Sequence, residues 1–175
     1  MHRLLFDTIT PEVIPPDAQA VAGYTSGAWP TYDYVKEHFP HAYRLAICID
    51  ARHDGHMLDV EQGDAEASEA PAWLMRQLGR GVGRPVLYAS EWTWTQELRP
   101  ALQKAGIPHG LYRSIIADPR GLANAVARLN EGYDGCQFDW HYLGLNLDAT
   151  LCRPGFFGPQ KPPPLPPILP PPLGV

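Results

Sequence analysis

Cysteine is scarce in this chain. Of 175 residues three are cysteine, Cys48, Cys136 and Cys152, and no CxxC pair occurs. That excludes a disulfide framework and a structural zinc site of ordinary spacing. Cys48 in "LAICID" and Cys136 in "DGCQFD" lie in apolar, strand-like runs and read as packed thiols. Concentrated basic charge is also missing: the formal net charge is −5, and Lys and Arg form no cluster longer than a dipeptide. Phosphate-backbone binding needs such a cluster, so no nucleic-acid partner is expected. No apolar stretch approaches the roughly 18–20 residues that span a bilayer, so no membrane span is expected. "MHRLLFDTITPEVIPP" holds only a short apolar run that Asp7 interrupts, so no signal peptide is expected either. The chain reads as soluble, and action outside its host cell would need lysis, a protein partner or a virion to carry it. No GxGxxG follows the first strand candidate, which removes support for a dinucleotide cofactor. Ser26, Ser68, Ser90 and Ser114 lack the G-x-S-x-G turn of a nucleophile elbow.

What is present is an alternation. "RLLFD" (3–7), "AVAGYTSG" (20–27), "YRLAICID" (43–50), "HMLDVE" (56–61), "RPVLYAS" (84–90), "PHGLYRS" (108–114) and "YDGCQFDW" (133–140) read as strands. Helical patterns fall between them. "TYDYVKEHF" (31–39) spaces Tyr34, Val35 and Phe39 on one face, with Thr31 as its N-cap. "SEAPAWLMRQLGRG" (68–81) has Ser68 as a cap, Pro71 in its first turn and Gly79 or Gly81 as its stop; Trp73 falls on the core face. "TWTQELRPALQKAG" (93–106) reads as a helix kinked or broken at Pro100, and "PRGLANAVARLNEG" (119–132) as a further helix. Strand–helix alternation predicts an α/β fold with parallel strands. Seven strand candidates predict a small or incomplete TIM-like (β/α) barrel, because a full eight-unit barrel takes about 250 residues. An open doubly wound sheet is the alternative.

Two domains are expected, residues 1–155 and a tail over 156–175. "PQKPPPLPPILPPPLGV" (159–175) is proline-rich and should be polyproline II at about 3.1 Å per residue. It reads as a spacer, as a docking peptide for a protein partner, or as a lead into a further domain.

Acid concentrates in "HMLDVEQGDAE" (56–66). Residues i and i+2 of a strand share a face, so Asp59 and Glu61 should project together into the crevice at the strand's carboxyl end, with Val60 turned away. Such a pair suits acid chemistry, one group donating a proton and the other stabilising positive charge. Asp7 and Asp139 also end apolar runs, and carboxylates converging on one mouth raise each other's pKa. A metal reading starts from His53, Asp54, His56, Asp59 and Glu61. The H-x-x-H spacing lies in a loop and no H-E-x-x-H occurs, so neither metal nor organic cofactor is expected.

The series "FD", "VAGYTSG", "MLDVEQGDA", "RPVLYAS", "IIAD" and "GCQFDWHYLGLNLDAT" resembles glycoside hydrolase family 25, the lysozyme-like N-acetylmuramidases of bacteria and phages, over residues 3–151. It looks closest to short domains of actinobacterial and bacteriophage type. The resemblance implies a hydrolase cleaving the β-1,4 bond between amino sugars of cell-wall peptidoglycan. Glu61 then matches the proton donor and Asp59 the charge-stabilising neighbour. Asp7, Tyr24, Tyr88, Gln137 and Asp148 match positions around the sugar. The pattern departs at "IIA" (115–117), where Ile115 replaces an aromatic wall, at Thr150, which replaces an amide, and at Thr8 and Ile9 after the first strand. These departures leave a non-catalytic glycan-binding or structural module of a virion or cell-wall protein as the rival. Trp29, Trp92, Trp94, Trp140 and Tyr142 offer either a rebuilt sugar platform or core packing.

Overall fold

The computed structural model describes residues 2–158; Met1 and the proline-rich segment 159–175 lie outside the described residues. Eight strands, β1 (Arg3–Asp7), β2 (Ala20–Tyr24), β3 (Tyr43–Cys48), β4 (Met57–Asp59), β5 (Val86–Ser90), β6 (Arg113–Ala117), β7 (Gly135–Asp139) and β8 (Asp148–Cys152), close into a barrel in chain order. The first seven pair parallel with their successive neighbours. β8 runs antiparallel to both β7 and β1 and closes the ring. Helix α1 (Tyr32–His38) follows β2, α2 (Ala70–Gly79) follows β4, and α5 (Leu122–Asn130) follows β6. Between β5 and β6 the chain is helical through α3 (Glu91–Thr93), a π-helical stretch Trp94–Leu98, and α4 (Arg99–Lys104).

Period-two alternation divides the apolar residues into two cores. Leu5, Ala22, Leu45, Met57, Val86 and Ile115 fill the inside of the barrel. Their chain neighbours, among them Val21, Leu58, Leu87 and Ile116, pack outward together with Trp73, Leu74 and Leu98 of the helical segments. Trp73 is fully buried and its Nε1 donates to the His53 carbonyl at 2.9 Å. Cys48, Cys136 and Cys152 are buried free thiols. Gly23 is needed where α1 starts: a Cβ there would lie 2.8 Å from the Tyr32 Cα.

Several local expectations are corrected. The eighth strand, Asp148–Cys152, did not stand out in the sequence. The sixth is Arg113–Ala117 rather than 108–114, because His109–Leu111 form a 3-10 turn. Pro100 does not break its helix. The π-stretch just ahead, in which the Arg99 N–H donates to the Trp94 carbonyl, places Pro100 in the first turn of α4, where its missing N–H is harmless. Thr31 does not cap α1 through its side chain; its Oγ1 accepts from the Tyr24 N–H at 3.1 Å. Nor does Ser68 cap α2, which starts at Ala70, although Pro71 does sit in the first turn. Phe156, past the expected boundary at 155, belongs to the inner core. The polyproline II expectation for 159–175 falls on residues outside those described.

Candidate active site

The carboxyl ends of β1–β7 form one rim of the barrel, the mouth. Along β4, Met57 faces inward and Leu58 outward, and Asp59 inward again. Val60 then turns out into the helix layer and Glu61 in. Past Glu61 the chain reverses in a tight turn. The Asp64 N–H donates to the Glu61 carbonyl at 3.0 Å and Ala65 N–H to the Asp59 carbonyl at 3.3 Å, with Gly63 at φ +96. Only glycine adopts that φ without strain. The turn holds both carboxylates against the mouth.

They line a hollow of about 270 Å3 together with Asp7, Tyr24, Tyr88, Gln137 and Asp148, all named from the sequence. Each reaches it by the same alternation: Asp7 lies two residues beyond Leu5, Tyr24 beyond Ala22, Tyr88 beyond Val86 and Gln137 beyond Gly135. Ile115 and Met57 contribute apolar surface to the same hollow. The β7–β8 connection supplies Trp140, His141 and Asn146. His141 and Asn146 escaped sequence reasoning, having no motif beyond their place after a strand.

Asp139 is not brought into the hollow. Its Oδ1 accepts the His141 backbone N–H at 2.8 Å, so the carboxylate caps its own turn. Trp94 is likewise removed from any sugar platform. It is 1 % exposed, and its Nε1 donates to the Ile115 carbonyl at 2.7 Å. Tyr142 packs on Phe6 and Phe138. Trp29, Trp92 and Trp140 are exposed. The string His53–Glu61 does not converge either. Asp54 is held by Arg76, Gln77 and Arg80 on the outer surface, and His56 Nδ1 accepts from the Ala46 N–H. Among the described residues, no group of three His, Cys, Asp or Glu side chains is placed to hold a metal ion.

The electrostatics follow from packing acids where water is scarce. Burial, then the charges of Glu61, Asp64, Asp7 and Asp148, push the Asp59 carboxyl well above the usual carboxylate range. Its Oδ1 is buried and has no hydrogen-bond partner among the described residues. Burial and the facing charge of Asp148 raise Asp7, which a hydrogen bond from Tyr24 partly offsets. Asp7 and Asp148 are direct cross-strand neighbours in the β1–β8 ladder. Asp148 is pushed up to about 6 by burial, against a hydrogen bond from Gln137. Glu61 is half-buried and raised by burial and then by Asp64. Burial also raises the phenols of Tyr24 and Tyr88, which remain protonated donors beside the acids. Burial thus disfavours carboxylate anions at the mouth, a cost that a positive charge developing there would relieve.

Glu61 also borders a larger neighbouring cavity of about 660 Å3, walled by Gln62, Glu66, Ser90, Trp92 and Glu97 among others. The Trp92 ring is 63 % exposed there. Glu61 thus stands between a sugar-sized hollow and an open groove. Compared with known proteins, the chain matches no family model, no curated protein and no solved structure.

Proposed function

We propose that the protein is a peptidoglycan-degrading glycoside hydrolase of TIM-like (β/α)-barrel type, similar to family 25, which cleaves a β-1,4 bond between amino sugars. The observation that carries the reading is the shared hollow. Asp59 and Glu61, one residue apart in sequence, both line a single open cavity at the barrel mouth. No other acidic pair in "HMLDVEQGDAE" does so.

The chemistry divides between the two by environment. Glu61 sits at the junction of hollow and groove, its pKa raised by burial and then by Asp64. It donates a proton to the glycosidic oxygen as the bond breaks. Asp59 lies deeper and is penalised as an anion, its Oδ1 without a hydrogen-bond partner among the described residues. The oxocarbenium-like sugar is the counter-charge that relieves that penalty, so Asp59 interacts with the transition state more strongly than with the ground state. Tyr24 donates to Asp7 and Gln137 to Asp148, two pairs that form the polar wall of the hollow. Trp92 and Trp140 present exposed aromatic faces on which sugar rings can stack.

The test is release of reducing ends from purified bacterial cell walls by wild type and Glu61→Gln. Wild type should release them and Glu61→Gln should not, while circular dichroism shows the fold kept. Wild type that binds walls yet never releases reducing ends would replace the enzyme with the glycan-binding module.

A further inference from the structure

The opposite rim of the barrel, its foot, carries a site of the other charge. β4 starts only at Met57, opposite Ile47 of β3 and Val86 of β5, so the lower part of the wall between those strands has no strand in it. A cavity of about 390 Å3 opens there, walled by Arg80, Arg84, Arg113, His56 and Tyr43 with the Gly81–Gly83 turn. Among the described residues no carboxylate lines it.

Arg113 is the central group. It is 3 % exposed and faces into the barrel two residues before Ile115. Its Nη1 donates to the Tyr43 hydroxyl at 3.0 Å and to the Phe156 carbonyl at 2.7 Å, and the guanidinium lies 4.8 Å from the Phe156 ring centre. All of these partners are neutral. Among the described residues no carboxylate pairs with Arg113, and its buried Nε has no acceptor. The buried Nε of Arg84 has none either. Arg80 lies 3.0 Å from Asp54, which it shares with Arg76, and Arg84 faces Asp134 at 3.5 Å. One positive charge, that of Arg113, is left without a counter-charge beside the cavity. Such groups are seldom left unsatisfied in a protein interior. His56 adds an N–H donor. Its Nδ1 accepts from the Ala46 N–H at 3.0 Å, so the proton of the neutral ring resides on Nε2.

We propose that this cavity binds a phosphoryl group, as free phosphate or as the monoester of a small organic molecule. Three arginines and an imidazole N–H around one cavity suit a tetrahedral oxyanion, which offers three terminal oxygens where a carboxylate offers two. Tyr43, Leu45 and Val82 provide apolar wall for an organic group beside it. The site lies at the far end of the barrel from the acidic hollow and stands independently of the glycosidase reading.

Calorimetric titration of the full chain with inorganic phosphate and with glycerol 3-phosphate, at ionic strength fixed with chloride, tests the proposal. Saturable binding is expected, with amide chemical-shift changes centred on Gly81–Arg84. Tighter binding of the ester identifies an ester as the occupant, and tighter binding of phosphate identifies the free ion. Arg113→Met should weaken binding about tenfold or more, the loss expected of a charge-assisted hydrogen bond. Should Arg113→Met fail to fold, Arg80→Ala, whose side chain is 57 % exposed, should weaken binding severalfold without harming the fold. Absence of saturable binding by wild type overturns the proposal. So do shift changes located away from Gly81–Arg84, or unchanged affinity in the arginine variants.

Discussion

Asp148→Asn should make the protein more stable at neutral pH and leave it unchanged in acid. Asp148 stands across the β1–β8 ladder from Asp7, and burial lifts its pKa from 3.8 to about 6. The folded state therefore binds this proton more tightly than the unfolded chain does. Stability from Asp148 is fully present below pH 3.8 and is lost as pH rises through about 6. At about 1.4 kcal/mol per tenfold change in proton affinity, the difference amounts to about 3 kcal/mol. Partial exposure of the carboxyl reduces that to about 1–2 kcal/mol. Asparagine keeps the shape and an acceptor oxygen for Gln137 and never ionises. Urea unfolding of both proteins at pH 3.5 and pH 7.5 measures the effect. The variant should gain about 1–2 kcal/mol at pH 7.5, or about 2–8 °C in melting temperature for a chain of this size. The gain should vanish at pH 3.5. A variant less stable at pH 7.5, or one whose difference does not depend on pH, would refute the claim that the mouth carboxylates strain the fold. A gain in stability at the expense of wall hydrolysis is the pattern expected of a functional site.

The other predictions follow from geometry already described. Hydrolysis should fall as pH rises through the pKa of Glu61, which burial holds above the ordinary glutamate value, and a rate profile with purified walls locates that limb. Trp92→Ala should raise KM severalfold with kcat and melting temperature unchanged, since the ring is 63 % exposed in the groove beside Glu61. Gly23→Ala should destabilise by about 1–3 kcal/mol in chemical denaturation, because the new Cβ meets the backbone of Tyr32 at 2.8 Å. Trp94→Phe should lose about 1–3 kcal/mol by leaving the Ile115 carbonyl without its indole donor.

The sequence discloses those parts of this molecule where local pattern and final environment agree. The runs of β2, β3 and β5 are largely apolar on both faces because both faces are buried, and they read plainly. "DATLC" does not, because Asp148 and Thr150 occupy inward positions that a strand pattern fills with apolar residues. The requirement that the hollow be polar hid the strand that closes it. The converse error occurred at Asp139, which ends an apolar run as Asp7 does. Its carboxylate is taken by a backbone N–H two residues on, a choice no spacing announces. Trp92 and Trp94 look alike in "EWTWTQ", yet the π-helical stretch beginning at Trp94 sends one ring to solvent and the other into the core. The basic foot was illegible for a simpler reason. Arg80, Arg84 and Arg113 are scattered in sequence and meet only once the barrel has formed.

Barrel closure joins the earliest strand to the latest: Leu5 pairs with Thr150, and the Thr8 hydroxyl donates to the Asn146 carbonyl. During synthesis Asp7 must wait until residue 148 has been made before its cross-strand counterpart arrives. A ribosome-bound product halted at residue 145 would carry Asp59 and Glu61 but lack a finished ring around them. Completion of the acid-lined hollow thus waits for β8, a contact between residues far apart in sequence and slow to form for that reason.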